Sequence, residues 1–259
     1  MDHFDSAGLR IAYLDAAPSP EIASPVGADT VVLVHGFASN HGVNWVNPGW
    51  VKTLTDAGYR VLALDNRGHG QSDKPHEPAA YATPLMADDV ARLLNHCGIE
   101  QADVMGYSMG ARITAFLALG HPHRVRSIIL GGLGHHLVDG ASLPPHIADA
   151  MEAASLDDLT DPTQRMFRRF ADQNGNDRIA LAACIRGTRQ VLSAAELGTI
   201  GCPALVAVGS TDHIAGDPHA LAALLPAGEA LVIPDRDHNF AVGDKVYKRG
   251  ALAFLAARS

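Results

Sequence analysis

Six short apolar runs punctuate the chain, at residues 30–34, 60–64, 102–105, 127–130, 204–208 and 230–233. Each is rich in Val, Leu, Ile or Ala and is bounded by Gly, Asp or Pro. A strand with one wet face alternates apolar and polar residues, whereas a strand covered on both faces loses that alternation. These runs lack it, so they predict a parallel sheet buried between helices. The segments between them supply the helices, at 48–57, 84–97, 109–119, 221–225 and 242–257. In the second of these, Leu85, Val90, Leu93 and Leu94 recur at roughly helical spacing. Strand–helix alternation of this kind argues for an open α/β fold. Residues 4–15 read as two short strands turning at Ala7-Gly8, and the Pro-, Ala- and Ser-rich stretch 18–29 reads as a loop.

One stretch breaks the rhythm. From 134 to 197 no strand-like run occurs, and polar helical patches take its place at 145–155, 163–173 and 177–197. The expected organisation is a core of 1–133 and 198–259 with a helical insertion, 134–197, over one end of the sheet. A length of 259 residues, 47% of them apolar, suits one large domain of that kind. The formal charge of −8 argues against nucleic acid as a partner, since phosphate binding wants a basic surface. Cys97, Cys184 and Cys202 form no C-x-x-C pair and are odd in number, which argues against a disulfide framework or a zinc site. With no leader-like N-terminus and no apolar run of ~18 residues, a cytoplasmic protein without membrane contact is expected.

The pentapeptide Gly106-Tyr107-Ser108-Met109-Gly110 stands where the apolar run 102–105 gives way to a helical segment. In open α/β sheets, ligands bind outside the carboxyl ends of the strands. A serine there is either a helix N-cap or a nucleophile at the tip of a tight turn. The flanking glycines favour the second reading, because they allow the close backbone approach such a turn needs. A serine hydroxyl must be activated by a base, usually histidine, which a carboxylate orients. Among fourteen histidines, position discriminates. His238 follows the run 230–233 and Asp212 follows 204–208, so both sit at strand carboxyl ends, in the chain order Ser, Asp, His. His135, His136 and His213 are weaker bases by position, and Asp139 is a weaker acid. Asp235 and Asp237 are expected to shape the His238 loop. The oxyanion donors expected are the N–H of Met109 and, in the loop after the first apolar run, the N–H of Phe37 beside Gly36.

Taken together, H-G-F at 35–37, D-N-R-G-H-G-Q-S-D at 65–73, G-Y-S-M-G at 106–110, G-S-T-D at 209–212 and D-H-N-F at 237–240 resemble the α/β-hydrolase superfamily over nearly the whole chain. The resemblance implies a mainly parallel eight-stranded sheet flanked by helices and a small helical cap formed by 134–197. It also implies a triad of Ser108, Asp212 and His238, with no cofactor and no metal. Asp65 and Arg67 are expected to be structural, paired with each other or with backbone. Haloalkane dehalogenases and epoxide hydrolases of this superfamily carry aspartate at the elbow. Serine instead favours acyl transfer, so a carboxylesterase-like enzyme acting on a small ester or lactone is expected, as a monomer or homodimer. Enol-lactone hydrolysis, carbon–carbon bond hydrolysis, perhydrolysis, acyl transfer to another acceptor and a ligand receptor are the alternatives. An acidic substrate would want a cation in the pocket. Arg112, Arg165, Arg168, Arg169, Arg186 and Arg189 are available, and sequence does not orient them. Met105, Met109, Leu133, Leu137, Met166 and Phe167 are open to either pocket or core.

Overall fold

A computed structural model of the chain describes residues 1–18, 29–140 and 143–257. The loop expected at 18–29 lies outside the described residues except at its two ends. Eight strands form one sheet in the order β1-β2-β4-β3-β5-β6-β7-β8. They are β1 (Asp2–Ser6), β2 (Leu9–Ala16), β3 (Thr30–Val34), β4 (Arg60–Leu64), β5 (Ala102–Tyr107), β6 (Val125–Gly131), β7 (Ala204–Gly209) and β8 (Gly228–Ile233). The β1–β2 hairpin and the β2–β4 pair are antiparallel, and every later pairing is parallel. The apolar runs thus become strands, and β3, β5 and β7 are buried along their full length. β8 departs from its expected burial. Among the described residues it pairs with β7 alone, and most of it stays partly open to solvent.

Successive side chains of one strand enter two different cores. Val32 and Val34 pack with Leu93, Leu94 and Ile113 on one face. Val31 and Leu33 pack with Trp45, Trp50 and Tyr247 on the other. The helices covering the sheet are α1 (Trp50–Asp56), α2 (Thr83–His96), α3 (Met109–Gly120), α9 (Pro218–Ala222) and α10 (Lys245–Ala257). α9 begins earlier than its apolar spacing suggested, because the Asp217 carboxylate accepts from His219 N and Pro218 occupies the first turn. Among the described residues, no helix is long and apolar enough to cross a membrane.

Between β6 and β7 the described chain is helical: α4 (His136–Asp139), α5 (His146–Glu152), α6 (Pro162–Gln173), α7 (Arg178–Gly187) and α8 (Ala194–Leu197). The patch expected at 177–197 is two helices. Asp177 caps the first, accepting from Ile179 N and Ala180 N, and a Ser193/Glu196 capping box starts the second. The short helix α4 lies outside the expected helical patches.

Asp65 and Arg67 are structural, but they do not pair with each other. Asp65 accepts from His41 N, His41 Nδ1 and Gln71 N. Burial is the largest single influence and would raise its pKa, yet the hydrogen bonds from His41 and Gln71 and the nearby His35 together outweigh it and hold the carboxyl at about 2. Arg67 instead makes a bidentate pair with Asp89 of α2, both contacts at 2.7 Å, and donates to Ala80 O. This buried pair ties the 65–73 loop to α2. Removing one partner strands a buried charge, so Asp89→Ala should cost about 3–5 kcal/mol in urea denaturation. Asp56→Ala, which breaks the exposed Lys52–Asp56 pair, should change stability by under ~1 kcal/mol.

Candidate active site

The strand order reverses between β3 and β5, which makes their carboxyl ends the crevice of the sheet. Val34 and Gly106 are partners in that ladder. The Gly36–Phe37 loop and Ser108 therefore emerge side by side. Ser108 sits at φ 55°, ψ −115°, in a region that a side-chain-bearing residue occupies only under constraint. The constraint is close packing. A Cβ on Gly106 would lie 2.2 Å from Gly110 O, and one on Gly110 would lie 1.9 Å from Val34 O. Only glycine at both positions lets α3 start hard against the strands. Ser108 N donates to Gly131 O at 2.7 Å, which fixes the turn from the β6 side.

Ser108, Asp212 and His238 are brought together. His238 Nε2 lies 3.0 Å from Ser108 Oγ, and His238 Nδ1 lies 2.8 Å from Asp212 Oδ2. A carboxylate only accepts, so Nδ1 carries the proton and Nε2 is left as the acceptor facing the serine. The second oxygen of Asp212 accepts from Ile214 N and Ala215 N, which locks the carboxylate in its loop after β7. Asp237 shapes the other loop, as expected, by accepting from Asn239 N and Phe240 N. The competing histidines stand elsewhere. His136 Nδ1 bonds Ile214 O, His213 is exposed, and His135 is not among the residues that meet Ser108.

Phe37 and Met109 both border Ser108, and among the described residues neither backbone N–H donates to a protein acceptor. Three further residues position this machinery. Asn44 Oδ1 accepts from Gly36 N, and His35 Nδ1 lies 2.8 Å from Gly36 O, so the backbone of Gly36 is held at both its N–H and its C=O. Tyr107 donates its hydroxyl to His238 O at 2.6 Å. Sequence gave no signal for Asn44 or Tyr107, since each acts through a contact between distant loops. His35 and His69 are buried ring to ring, and burial lowers both pKa values, that of His69 to about 3. Both are therefore neutral near pH 7.

Two cavities meet at Ser108. The larger, about 550 Å³, is walled by Phe37, Met166, Phe167 and Phe170 and contains His238. The smaller, about 40 Å³, is bordered by Met109, Arg112, Leu133, Thr188 and Arg189. Of the residues left open between pocket and core, Met105 packs in the sheet and Leu137 is buried away from both cavities, while Met109, Leu133, Met166 and Phe167 line them. Among the described residues, no group of three or more His, Cys, Asp or Glu is arranged to hold a metal ion.

A family model described as "alpha/beta hydrolase fold" matches residues 29–154. The dihydrolipoyllysine-residue acetyltransferase component of the acetoin cleaving system of Cupriavidus necator is 44% identical over 128 residues, 49% of this chain and 30% of that protein. Bifunctional epoxide hydrolase 2 of Rattus norvegicus is 32% identical over 122 residues, 47% of this chain and 20% of that protein. The matched stretch thus spans less than a third of either curated relative. The enol-lactonase of Burkholderia xenovorans LB400 shares the fold over 98% of this chain and 100% of its own, with a TM-score of 0.79 and 21% identity. The chain has the alpha/beta hydrolase fold.

The elbow's packing is directly testable. Gly110→Ala should cost more than about 3 kcal/mol of stability, because the Cβ meets rigid backbone. Gly120→Ala, at the open end of the same helix, should be neutral or mildly stabilising, within about 1 kcal/mol. Thermal or urea unfolding of the two variants reads the difference.

Proposed function

We propose that the protein is a serine hydrolase cleaving carboxylic esters of small substrates through an acyl-enzyme. The observation that carries this reading is the unbroken hydrogen-bonded line from Asp212 through His238 to Ser108 at a strand-to-helix turn. Ser108 Oγ attacks the carbonyl carbon as His238 Nε2 takes its proton. Asp212 orients the ring and stabilises the imidazolium. The N–H groups of Phe37 and Met109 receive the oxyanion. His238 then returns the proton to the leaving alcohol, and water repeats the sequence to free the acid.

A lactone is a cyclic ester and passes through the same steps, and the fold likeness to an enol-lactonase is in keeping with it. Serine at position 108 supports acyl transfer over epoxide opening, even though an epoxide hydrolase is among the relatives. In this reading α4 to α8 act as a cap. Met166, Phe167 and Phe170 of α6 form one wall of the larger cavity, so this segment selects the substrate. Three unpaired cysteines fit a reducing compartment such as the cytoplasm.

The test is hydrolysis of p-nitrophenyl esters from acetate to octanoate. Wild type should turn them over with a limit set by chain length, and Ser108→Ala should lower kcat by about a thousandfold or more. Asp212→Asn should leave the fold intact and lower kcat by a similar order. Full activity in Ser108→Ala would falsify the reading.

A further inference from the structure

Arg67, Arg112 and Arg168 are the fully buried arginines among the described residues, each 4% exposed. Arg67 is neutralised by Asp89, and Arg168 bonds Asp172. Among the described residues, Arg112 forms no such ion pair. Its Nη1 donates to Gln190 O at 2.6 Å, and Nη2 reaches His136 O at 3.5 Å. Burial, together with repulsion from Arg189, lowers its pKa to about 10, with Asp139 pulling the other way through space. A guanidinium at that value is still charged at pH 7. A buried charge without a counter-charge is costly unless an anion joins it.

Arg112 and Arg189 both border the smaller cavity, which opens onto Ser108. Arg169 borders the larger one. Among the described residues, neither cavity is lined by an aspartate or glutamate, in a chain with 28 acidic and 20 basic residues. The acidic excess has been kept out of the substrate space, and the cations face it. Arg112 lies one helical turn beyond Ser108, a rise of about 6 Å along α3.

We infer that this subsite binds a carboxylate of the substrate, tethered through a short linker to the carbonyl that Ser108 attacks. The inference rests on the hydrolase reading and narrows it to half-esters or lactones of short dicarboxylic acids. The rest of the substrate occupies the larger cavity. A carboxylate suits the place, since a cavity of about 40 Å³ admits a small planar group and a guanidinium grips it with paired donors. The competing account is that Arg112 only clamps α4 and the 188–193 segment to α3 through their carbonyls. A clamp has no reason to favour a charged substrate.

The experiment compares monomethyl glutarate with methyl pentanoate, an uncharged ester of the same acyl length, by following acid release. It is paired with calorimetric titration of glutarate into Ser108→Ala protein. The expected result is a kcat/KM at least tenfold higher for the half-ester. Arg112→Gln should lower the half-ester value at least tenfold more than the neutral one, and Arg112→Lys should recover part of it. Glutarate should bind Ser108→Ala and bind more weakly when Arg112→Gln is added. Should Arg112 variants fail to fold, the wild-type preference and Arg189→Gln, at an exposed position, carry the same comparison with a smaller loss. Equal or poorer use of the half-ester, with no glutarate binding, overturns the carboxylate subsite and leaves ester hydrolysis standing. Glutarate binding that depends on Arg112, with neither ester cleaved, upholds the subsite and removes the hydrolase reading. No cleavage and no binding overturns both.

Discussion

The contact on which the site depends is the one between α3 and the strands beneath it, where a Cβ on Gly110 would stand 1.9 Å from the carbonyl oxygen of Val34. Because the helix begins that close, the chain must reverse within a residue of β5, and Ser108 takes up a left-handed φ to do so. The hydroxyl is thereby held at the carboxyl end of β5, with Met109 beside it. The parallel order of β3, β5, β6, β7 and β8 then sets everything else beside it. Each strand ends on the same edge, so the loops carrying Phe37, Asp212 and His238 have nowhere to go but toward the serine.

Charge is distributed around this arrangement with a clear division. Buried ionic groups that hold the scaffold are fully matched. Arg67 meets Asp89 in a two-point contact, and Asp65 is saturated by donors from the His41 and Gln71 segments. The histidines inside the scaffold, His35 and His69, are kept neutral by burial, so they serve as polar packing without carrying charge. Among the described residues, Arg112 is the buried arginine that forms no ion pair, and it borders the smaller cavity beside Ser108. A fold that neutralises its other buried arginines and leaves that one open concentrates its positive potential where a substrate would meet it.

Much of this was legible in the residues. Runs such as 30–34 and 204–208 carry their double-sided burial in their composition, and the glycines around Ser108 announce the close turn before any coordinate does. The three residues of the hydrogen-bonded line were readable because each follows a strand at the same end. What escaped depends on contacts between segments far apart in the chain. The partner of Arg67 is Asp89 on α2, which no local pattern designates. The exposure of β8 follows from its place at the sheet edge, and an apolar run reads the same at the edge as in the middle. The division of 177–197 into α7 and α8 was written in Asp177 and in Ser193 with Glu196. These caps are weaker signals than the helical composition around them.

The edge position of β8 has a consequence for how this molecule reports its own condition. Ser108 and His238 are 130 residues apart, and the histidine hangs from the loop after the least covered strand of the sheet. Edge strands with few buried contacts open at lower free energy than the centre of a fold. Detachment of β8 from β7 would withdraw the imidazole while β3, β5 and the elbow stay in place. The serine would then be chemically inert in a molecule whose spectroscopic signature is almost native. If the proposed hydrolase reading holds, loss of turnover would then report on one sheet margin before it reports unfolding.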